Sequence, residues 1–208
     1  MESAQVSFQR RFNVSRETID RLTEYEQLVK KWNPVINLTA KSTITEIWTR
    51  HMADSAEIFE VANTNAGRWL DLGSGGGFPG LVVAIIAKEH APDLAVTCIE
   101  SDTRKCEFLR TVTRMTEISV GVLSTRIEDT PPHNADVLSA RALAPLSGLL
   151  EMAERHLSQN GTAVFHKGRS WRNEVEDALE SWRFKVEKYD NPTHPDSVIL
   201  KIGDIARG

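Results

Sequence analysis

The apolar positions of this chain change period along its length. From Ser15 they recur every three or four residues, and Ile19, Leu22, Leu28 and Val29 form one helical stripe. Ser15-Arg16-Glu17-Thr18 reads as the N-cap of that helix, and Asn33-Pro34 as its break just after Trp32. A second helix is predicted over 45–61, with Ile44, Ile47, Trp48, Met52 and Ile58 as its core positions. Beyond residue 65 the pattern becomes short strand-like runs separated by helical ones. Strands are predicted at 68–72, 95–99, 118–123, 136–139, 162–166, 184–189 and 197–202. Helices are predicted at 81–87, 103–116, 146–157 and 172–181, the first of them apolar on every side. Gln159-Asn160-Gly161 reads as a turn, and Thr130-Pro131-Pro132-His133-Asn134 as a surface loop.

Strands alternating with helices imply an α/β fold, with a mostly parallel seven-stranded sheet and helices on both faces. Residues 1–65 then form an N-terminal helical extension packed on a core spanning 66–208, within one structural domain. There is no internal repeat and no low-complexity tract. The 208 residues are 40% hydrophobic, enough for a packed core, and no run approaches the ~20 apolar residues of a membrane span. The polar, charged N-terminus has no signal-peptide character. Cys98 and Cys106 form no Cys-x-x-Cys pair, so neither zinc nor a disulfide framework is expected, and a reduced cytoplasmic setting fits. The net charge of −4 argues against unspecific coating of nucleic acid, but not against an RNA enzyme with a local basic face. No long apolar surface stripe is evident, and a monomer is expected.

Candidate chemistry concentrates at Leu70-Asp71-Leu72-Gly73-Ser74-Gly75-Gly76-Gly77-Phe78-Pro79-Gly80. A strand leads in and a buried helix leads out. Gly73, Gly75 and Gly77 permit positive φ and a close backbone approach to a ligand. Such a loop forms a nucleotide-type site at the carboxyl edge of a parallel sheet. The spacing Gly75-x-Gly77-x-x-Gly80 also satisfies the dinucleotide fingerprint, so a nicotinamide-binding oxidoreductase and a nucleotide-sensing module are competing readings. Asp71 decides between them. Asp-x-Gly-x-Gly-x-Gly resembles motif I of Rossmann-type methyltransferases that use S-adenosylmethionine, whose amino group and sulfonium attract a carboxylate that would repel a pyrophosphate. The alternative for Asp71 is a helix cap or a loop hydrogen bond. Glu100 ends the next strand, where a carboxylate accepts both ribose hydroxyls; its alternative is a pair with Arg104 or Lys105.

Other segments should reach the same edge. Ile127-Glu128 offers an apolar side chain and an amide to flank a purine, or is an ordinary loop. Arg141 emerges at the end of a strand, where a guanidinium can hold a phosphate or a base edge, or else pairs with Asp71 or Glu128. His166-Lys167-Gly168-Arg169, with Trp171 and Arg172, makes a basic cluster that could hold RNA phosphates and stack a base. Arg10, Arg11, Lys30, Lys31 and Lys41 add a basic bias near the N-terminus. His51 and Asp54 share a helix face as a candidate general base or a structural pair, and Asn37 either caps a helix or reaches the site.

Five segments in order resemble one family. These are Trp32-Asn33-Pro34-Val35-Ile36-Asn37-Leu38-Thr39, Arg50-His51-Met52-Ala53-Asp54-Ser55, the loop 71–80, Ser139-Ala140-Arg141-Ala142 and Lys167-Gly168. Across residues 30–170 the chain resembles the RsmG (GidB) family of bacterial small-subunit ribosomal RNA methyltransferases. The resemblance implies a Rossmann-type methyltransferase that places a methyl group on N7 of a guanine in 16S rRNA, free or within the 30S subunit. It assigns donor binding to Gly73, Phe78, Ile127, Glu128 and Arg141, with Arg141 positioning the reactants, and an RNA-facing role to Lys167. Arg169, Arg172, Asn37 and His51 are further RNA-side candidates, and no metal is implied. The family carries an arginine before its last strand; here that stretch is His194-Pro195-Asp196-Ser197. Methylation of a small molecule or a protein is the alternative activity.

Overall fold

Successive side chains of a strand leave for opposite faces, and here both faces are covered. In the computed structural model, which describes residues 3–192 and 194–208 but not the side chain of Lys41, Trp69, Val137, Val164 and Ile199 join one apolar cluster. Their neighbours Leu70, Leu138, Phe165 and Leu200 join the other. The helices are α1 (Ala4–Phe12), α2 (Arg16–Ile36), α3 (Ala53–Ala62), α4 (Gly80–His90), α5 (Thr103–Met115), α6 (Leu146–His156) and α7 (Trp171–Leu179). The strands are β1 (Ala66–Leu72), β2 (Asp93–Glu100), β3 (Val120–Ser124), β4 (Ala135–Arg141), β5 (Leu157–Lys167), β6 (Trp182–Asp190) and β7 (Val198–Arg207). They run in the order β3-β2-β1-β4-β5-β7-β6, and β7 is antiparallel to both of its neighbours. The predicted mostly parallel seven-stranded sheet is therefore present.

The strand order reverses at β1. Leu72 pairs with Ile99 of β2 on one side and with Ala140 of β4 on the other. The carboxyl ends of these strands open into one crevice, the usual ligand position of a doubly wound sheet. Helix α4 explains its own uniform apolarity. Every residue from Gly80 to Ala87 is buried, because the sheet covers one side and the N-terminal helices cover the other. Leu22, Tyr25 and Val29 of α2 have no exposure, and each such side chain stabilises the packed state by about 1.5–3 kcal/mol.

Four expectations are corrected. Helix α2 passes through Pro34 and ends at Ile36, with Asn37 in the left-handed conformation as its C-cap. Proline removes one hydrogen bond, and buried Ile36 and the Asn33 side chain, which accepts the Thr39 amide at 2.8 Å, hold the last turn. The helix predicted over 45–61 divides into a 3-10 segment Lys41–Glu46, a π-helical turn Ile47–Met52 and α3. Gln159-Asn160-Gly161 does not separate β5 from α6: β5 begins at Leu157 and carries these residues as an irregularity opposite Ala135–Val137. Helix α1 is not among the predicted elements; it buries Phe8 and Phe12 against Trp48 and α2. Among the described residues no helix is long and apolar enough to cross a membrane.

Candidate active site

The crevice at the β1–β4 edge is a cavity of about 1080 Å³. Its floor is the glycine loop, with Gly73, Ser74, Gly75, Gly76 and Phe78 on the wall. One end is formed by Ile99, Glu100, Lys105 and by Ile127 and Glu128 of the 3-10 turn Ile127–Asp129. The other holds Arg141, His166, Arg169, His194, Asp196 and Ser197, under a cover contributed by Leu38, Thr39, Ala40, Thr43, Arg50, His51 and Asp54.

The floor is held in shape by its own polar groups. Ser74 donates its amide to the Ile99 carbonyl at 3.1 Å, and Gly77 donates its amide to the Ser74 carbonyl at 2.7 Å. Glu100 accepts the Gly75 amide on one oxygen and the Asp102 amide on the other, each at 2.8 Å. Its carboxylate is thus fixed by backbone and bonded to neither Arg104 nor Lys105; Arg104 pairs with Asp102 instead. Gly75 has φ +55°, and the nearest atom to a Cβ built there is the Gly73 carbonyl oxygen at 3.7 Å. A ligand can therefore come down onto bare backbone at that point.

Asp71 is a correction. It has no exposure and does not reach the cavity wall. One oxygen accepts the Ser139 hydroxyl at 2.7 Å, and Ser139 in turn accepts the Trp69 indole N–H at 2.8 Å. The other oxygen accepts the Gly80 amide at 3.2 Å, at the start of α4. The cap and loop-bond reading is the one that the geometry supports, and a direct contact between Asp71 and a ligand is not. Burial pushes its pKa up to about 6, against the opposing effect of the Ser139, Ser74 and Gly80 hydrogen bonds and the Arg141 charge. Gly77 also lies off the wall. With φ +91°, it sits where a Cβ would strike the Tyr25 hydroxyl and Leu81, so its role is packing.

Arg141 closes β4 with its guanidinium 5.2 Å from the centre of the Phe78 ring. Among the described residues its one hydrogen bond is a long one, 3.5 Å to the Arg50 carbonyl, and it has no ion pair. Neither Asp71 nor Glu128 engages it. Burial lowers its pKa from the ordinary arginine value, with Asp54, Tyr25 and Asp71 acting in the opposite sense. A half-buried cation without a counter-ion is a strong invitation to an anion or a carbonyl oxygen.

His51, on the π-helical turn, packs its ring 5.0 Å from Phe78. Its Nε2 lies 3.0 Å from the Thr43 hydroxyl, which itself donates to the Ala40 carbonyl at 3.0 Å. The hydroxyl proton is committed, so Nε2 carries the proton and Nδ1 keeps its lone pair, buried and without a partner among the described residues. Burial, reinforced by Arg141 and Arg50, pushes the pKa of His51 down to about 3. His51 and Asp54 do not form the expected pair with each other. Asp54 accepts the Asn191 amide at 2.8 Å and lies 3.6 Å from His166. Burial also holds His166 down to about 4 in spite of Asp54, so that contact is not an ion pair at neutral pH.

Three RNA-side candidates fall away from the wall. Lys167 is buried, with its ammonium 2.5 Å from Glu174 and donating to the Ala144 carbonyl at 3.1 Å; it ties β5 to α7. Arg172 lies over the Trp171 ring at 4.6 Å, outside the cavity. Asn37 is the exposed C-cap of α2. Arg169 is on the wall and pairs with Asp196. Sequence reasoning missed Tyr25 and Asn191, which are buried and reach the site from α2 and from the turn before β7. No short-range pattern marks either one.

A glycine loop after β1, a carboxylate closing β2 and a reversed seventh strand define the class: a Rossmann-type methyltransferase fold. Solved structures agree. The chain matches P. horikoshii TYW2 in complex with MeSAdo with TM-score 0.58 at 14% identity, over 74% of this chain and 62% of that one. It matches ribosomal protein L11 methylase from Lactobacillus delbrueckii subsp. bulgaricus with TM-score 0.58 at 17% identity, over 77% and 78%. At these identities the likeness is one of fold. The family model described as rRNA small subunit methyltransferase G matches residues 18–196. Relatives of that name are 52% identical in Ruegeria sp. strain TM1040, over 94% of this chain and 95% of the relative, and 47% identical in Rhodospirillum centenum, over 96% and 90%. The chain belongs to the rRNA small subunit methyltransferase G family.

Proposed function

We propose that this enzyme transfers the methyl group of S-adenosylmethionine to N7 of a guanine in 16S ribosomal RNA. The observation that carries the reading is the asymmetry of the cavity. One end has a carboxylate fixed by backbone beside bare glycine backbone; the other has a guanidinium with no ion pair among the described residues. The residues present fit the donor. Glu100 has lone pairs left for ribose hydroxyls, Gly75 gives backbone access, and Ile127 and Glu128 are on the wall where they can flank a purine ring. When bound, S-adenosylmethionine supplies a methyl group activated on a sulfonium sulfur.

The chain's own residues are then left with alignment. Guanine N7 carries a free lone pair at neutral pH, so no proton has to be removed before methylation. The site matches this chemistry: His51 and His166 are neutral with low pKa values, and Asp71 is sealed beneath the loop. None is tuned as a general base for neutral pH. Holding two reactants in line contributes up to ~7–11 kcal/mol in the best intramolecular models. Arg141, between Phe78 and the basic end, is the positioning group in this reading. Arg169, on the cavity wall, is the basic group of this cluster that faces the RNA in this reading.

We further infer a monomer acting in the cytoplasm on the rRNA of the 30S subunit, with residues 1–65 as an extension of a single domain. Among the described residues the exposed large apolar side chains Val6, Val35, Met115, Leu179 and Val186 lie on separate elements, which supports a monomer. The test is tritium transfer from labelled donor to 16S rRNA, 30S subunits, small acceptors and protein, followed by mass mapping of the product. Label on N7 of one guanine supports the reading. Label on a small molecule or a protein alone would replace it with the alternative activity.

A further inference from the structure

The glycine loop is also gripped from outside the sheet. Tyr25, fully buried on α2, donates its hydroxyl to the Gly76 carbonyl. Its ring lies against Phe78 with centroids 5.1 Å apart and planes 21° from parallel. Three amides of the loop are satisfied within the core: Ser74 by Ile99, Gly75 by Glu100 and Gly77 by Ser74. The Gly76 carbonyl is held by the N-terminal extension instead, at the apex of the turn. A Cβ on Gly77 would strike the same hydroxyl, and one on Gly76 would press on Leu38, so two segments of the extension fit directly against the loop.

We propose that Tyr25 is a positioning residue for the methyl donor: its hydroxyl orients the Gly76 peptide and so fixes the backbone of residues 73–77 in the donor-binding shape. The inference rests on the reading of this cavity as the donor site. It follows from two facts. The peptide held by Tyr25 joins Gly76 to Gly77, and its amide donates at 2.7 Å to the carbonyl of the Ser74–Gly75 peptide, whose own amide anchors the Glu100 carboxylate at 2.8 Å. A carbonyl released into an apolar setting also turns to find another partner, because a buried acceptor left without one is costly. Burial raises the pKa of the Tyr25 hydroxyl well above that of an ordinary phenol, so it keeps the proton it donates. The donor site is therefore shared between the core and an element that contributes no residue to the α/β motif itself.

Tyr25→Phe deletes the hydroxyl and keeps the ring against Phe78. On the full chain, three readouts are compared: calorimetric titration with S-adenosylhomocysteine, steady-state methylation of rRNA, and backbone amide exchange. The proposal predicts that Kd for S-adenosylhomocysteine and KM for the donor rise about 10-fold. It predicts kcat at saturating donor and KM for rRNA within two-fold of wild type, and faster exchange confined to residues 73–77. An unchanged Kd overturns it. Equal acceleration of exchange through α2 and α4 also overturns it, since that is the signature of a purely structural tyrosine. A wild-type chain that fails to bind S-adenosylhomocysteine in the same titration overturns the donor reading and takes this proposal with it.

Discussion

The two ends of the cavity solve opposite problems. At the glycine-loop end the key side chains are fixed by partners: Glu100 holds two amides and keeps lone pairs free, Asp71 holds a hydroxyl and an amide, and Tyr25 a carbonyl. At the β4–β5–β7 end, among the described residues, Arg141 has no counter-ion and His51 has a buried lone pair without a partner. The first end is built before its ligand arrives, so little ordering is left to be done on binding. The second keeps charge and hydrogen-bonding capacity in reserve for a reactant that is polar and anionic. A site that must bring a small cationic donor to a base in a polyanion needs this division.

The largest effect should come from the reserve end. Arg141→Ala is expected to lower single-turnover methylation about 100-fold while leaving the melting temperature within a few degrees of wild type, because its guanidinium makes one long hydrogen bond within the protein. Unchanged single-turnover rates would remove Arg141 from the mechanism. A sharper contrast comes from two basic residues of one sequence cluster. Lys167→Met leaves the Glu174 carboxylate half-buried without its partner and should lower stability by roughly 1–3 kcal/mol, with rRNA affinity changing less than Arg169→Ala changes it. Equilibrium denaturation and filter binding of both variants check this; the reverse order would put Lys167 on the RNA.

A third, smaller effect separates the ends by pH. His51 has its pKa lowered from 6.5 to about 3, so between these values the unfolded chain binds a proton that the folded one refuses. Stability from this group is present above pH 6.5 and is lost as the pH falls toward 3. Asp71 acts in the opposite sense. Its pKa is raised from 3.8 to about 6, so its folded form is favoured below 3.8 and loses that advantage as the pH rises through 6. His51→Gln should therefore make the acid loss of stability between pH 6.5 and 4 shallower by roughly 1 kcal/mol per pH unit, measured by urea denaturation. An unaltered slope would mean that His51 is protonated in the folded protein.

The same contrast explains which features are legible in the amino-acid sequence alone. The strand–glycine loop–helix unit, Glu100 at a strand end and the alternation of strands and helices along the chain follow from local spacing, whereas the sheet order and the antiparallel β7 do not. The role of Asp71 does not follow. A carboxylate two residues ahead of Gly73 is compatible with facing a ligand or capping α4, and only the packing of Ser139 beside it decides. Lys167 and Arg169 are separated by one glycine yet face a buried glutamate and the cavity respectively, since the end of β5 and the following turn present them differently. Tyr25 and Asn191 are legible only in three dimensions: their partners Gly76 and Asp54 lie 51 and 137 residues away. Pro34 misleads because a single lost hydrogen bond is outweighed by burial of Ile36.

The account depends most on Glu100 holding the donor at the preorganised end. Calorimetric titration of S-adenosylhomocysteine into wild type and Glu100→Gln is the direct measurement. The account predicts one site per chain in the wild type and at least about 10-fold weaker binding in the variant, because the charged acceptor for the ribose hydroxyls is gone. Equal affinity in the two proteins, or a wild type that binds NAD in preference, would contradict it.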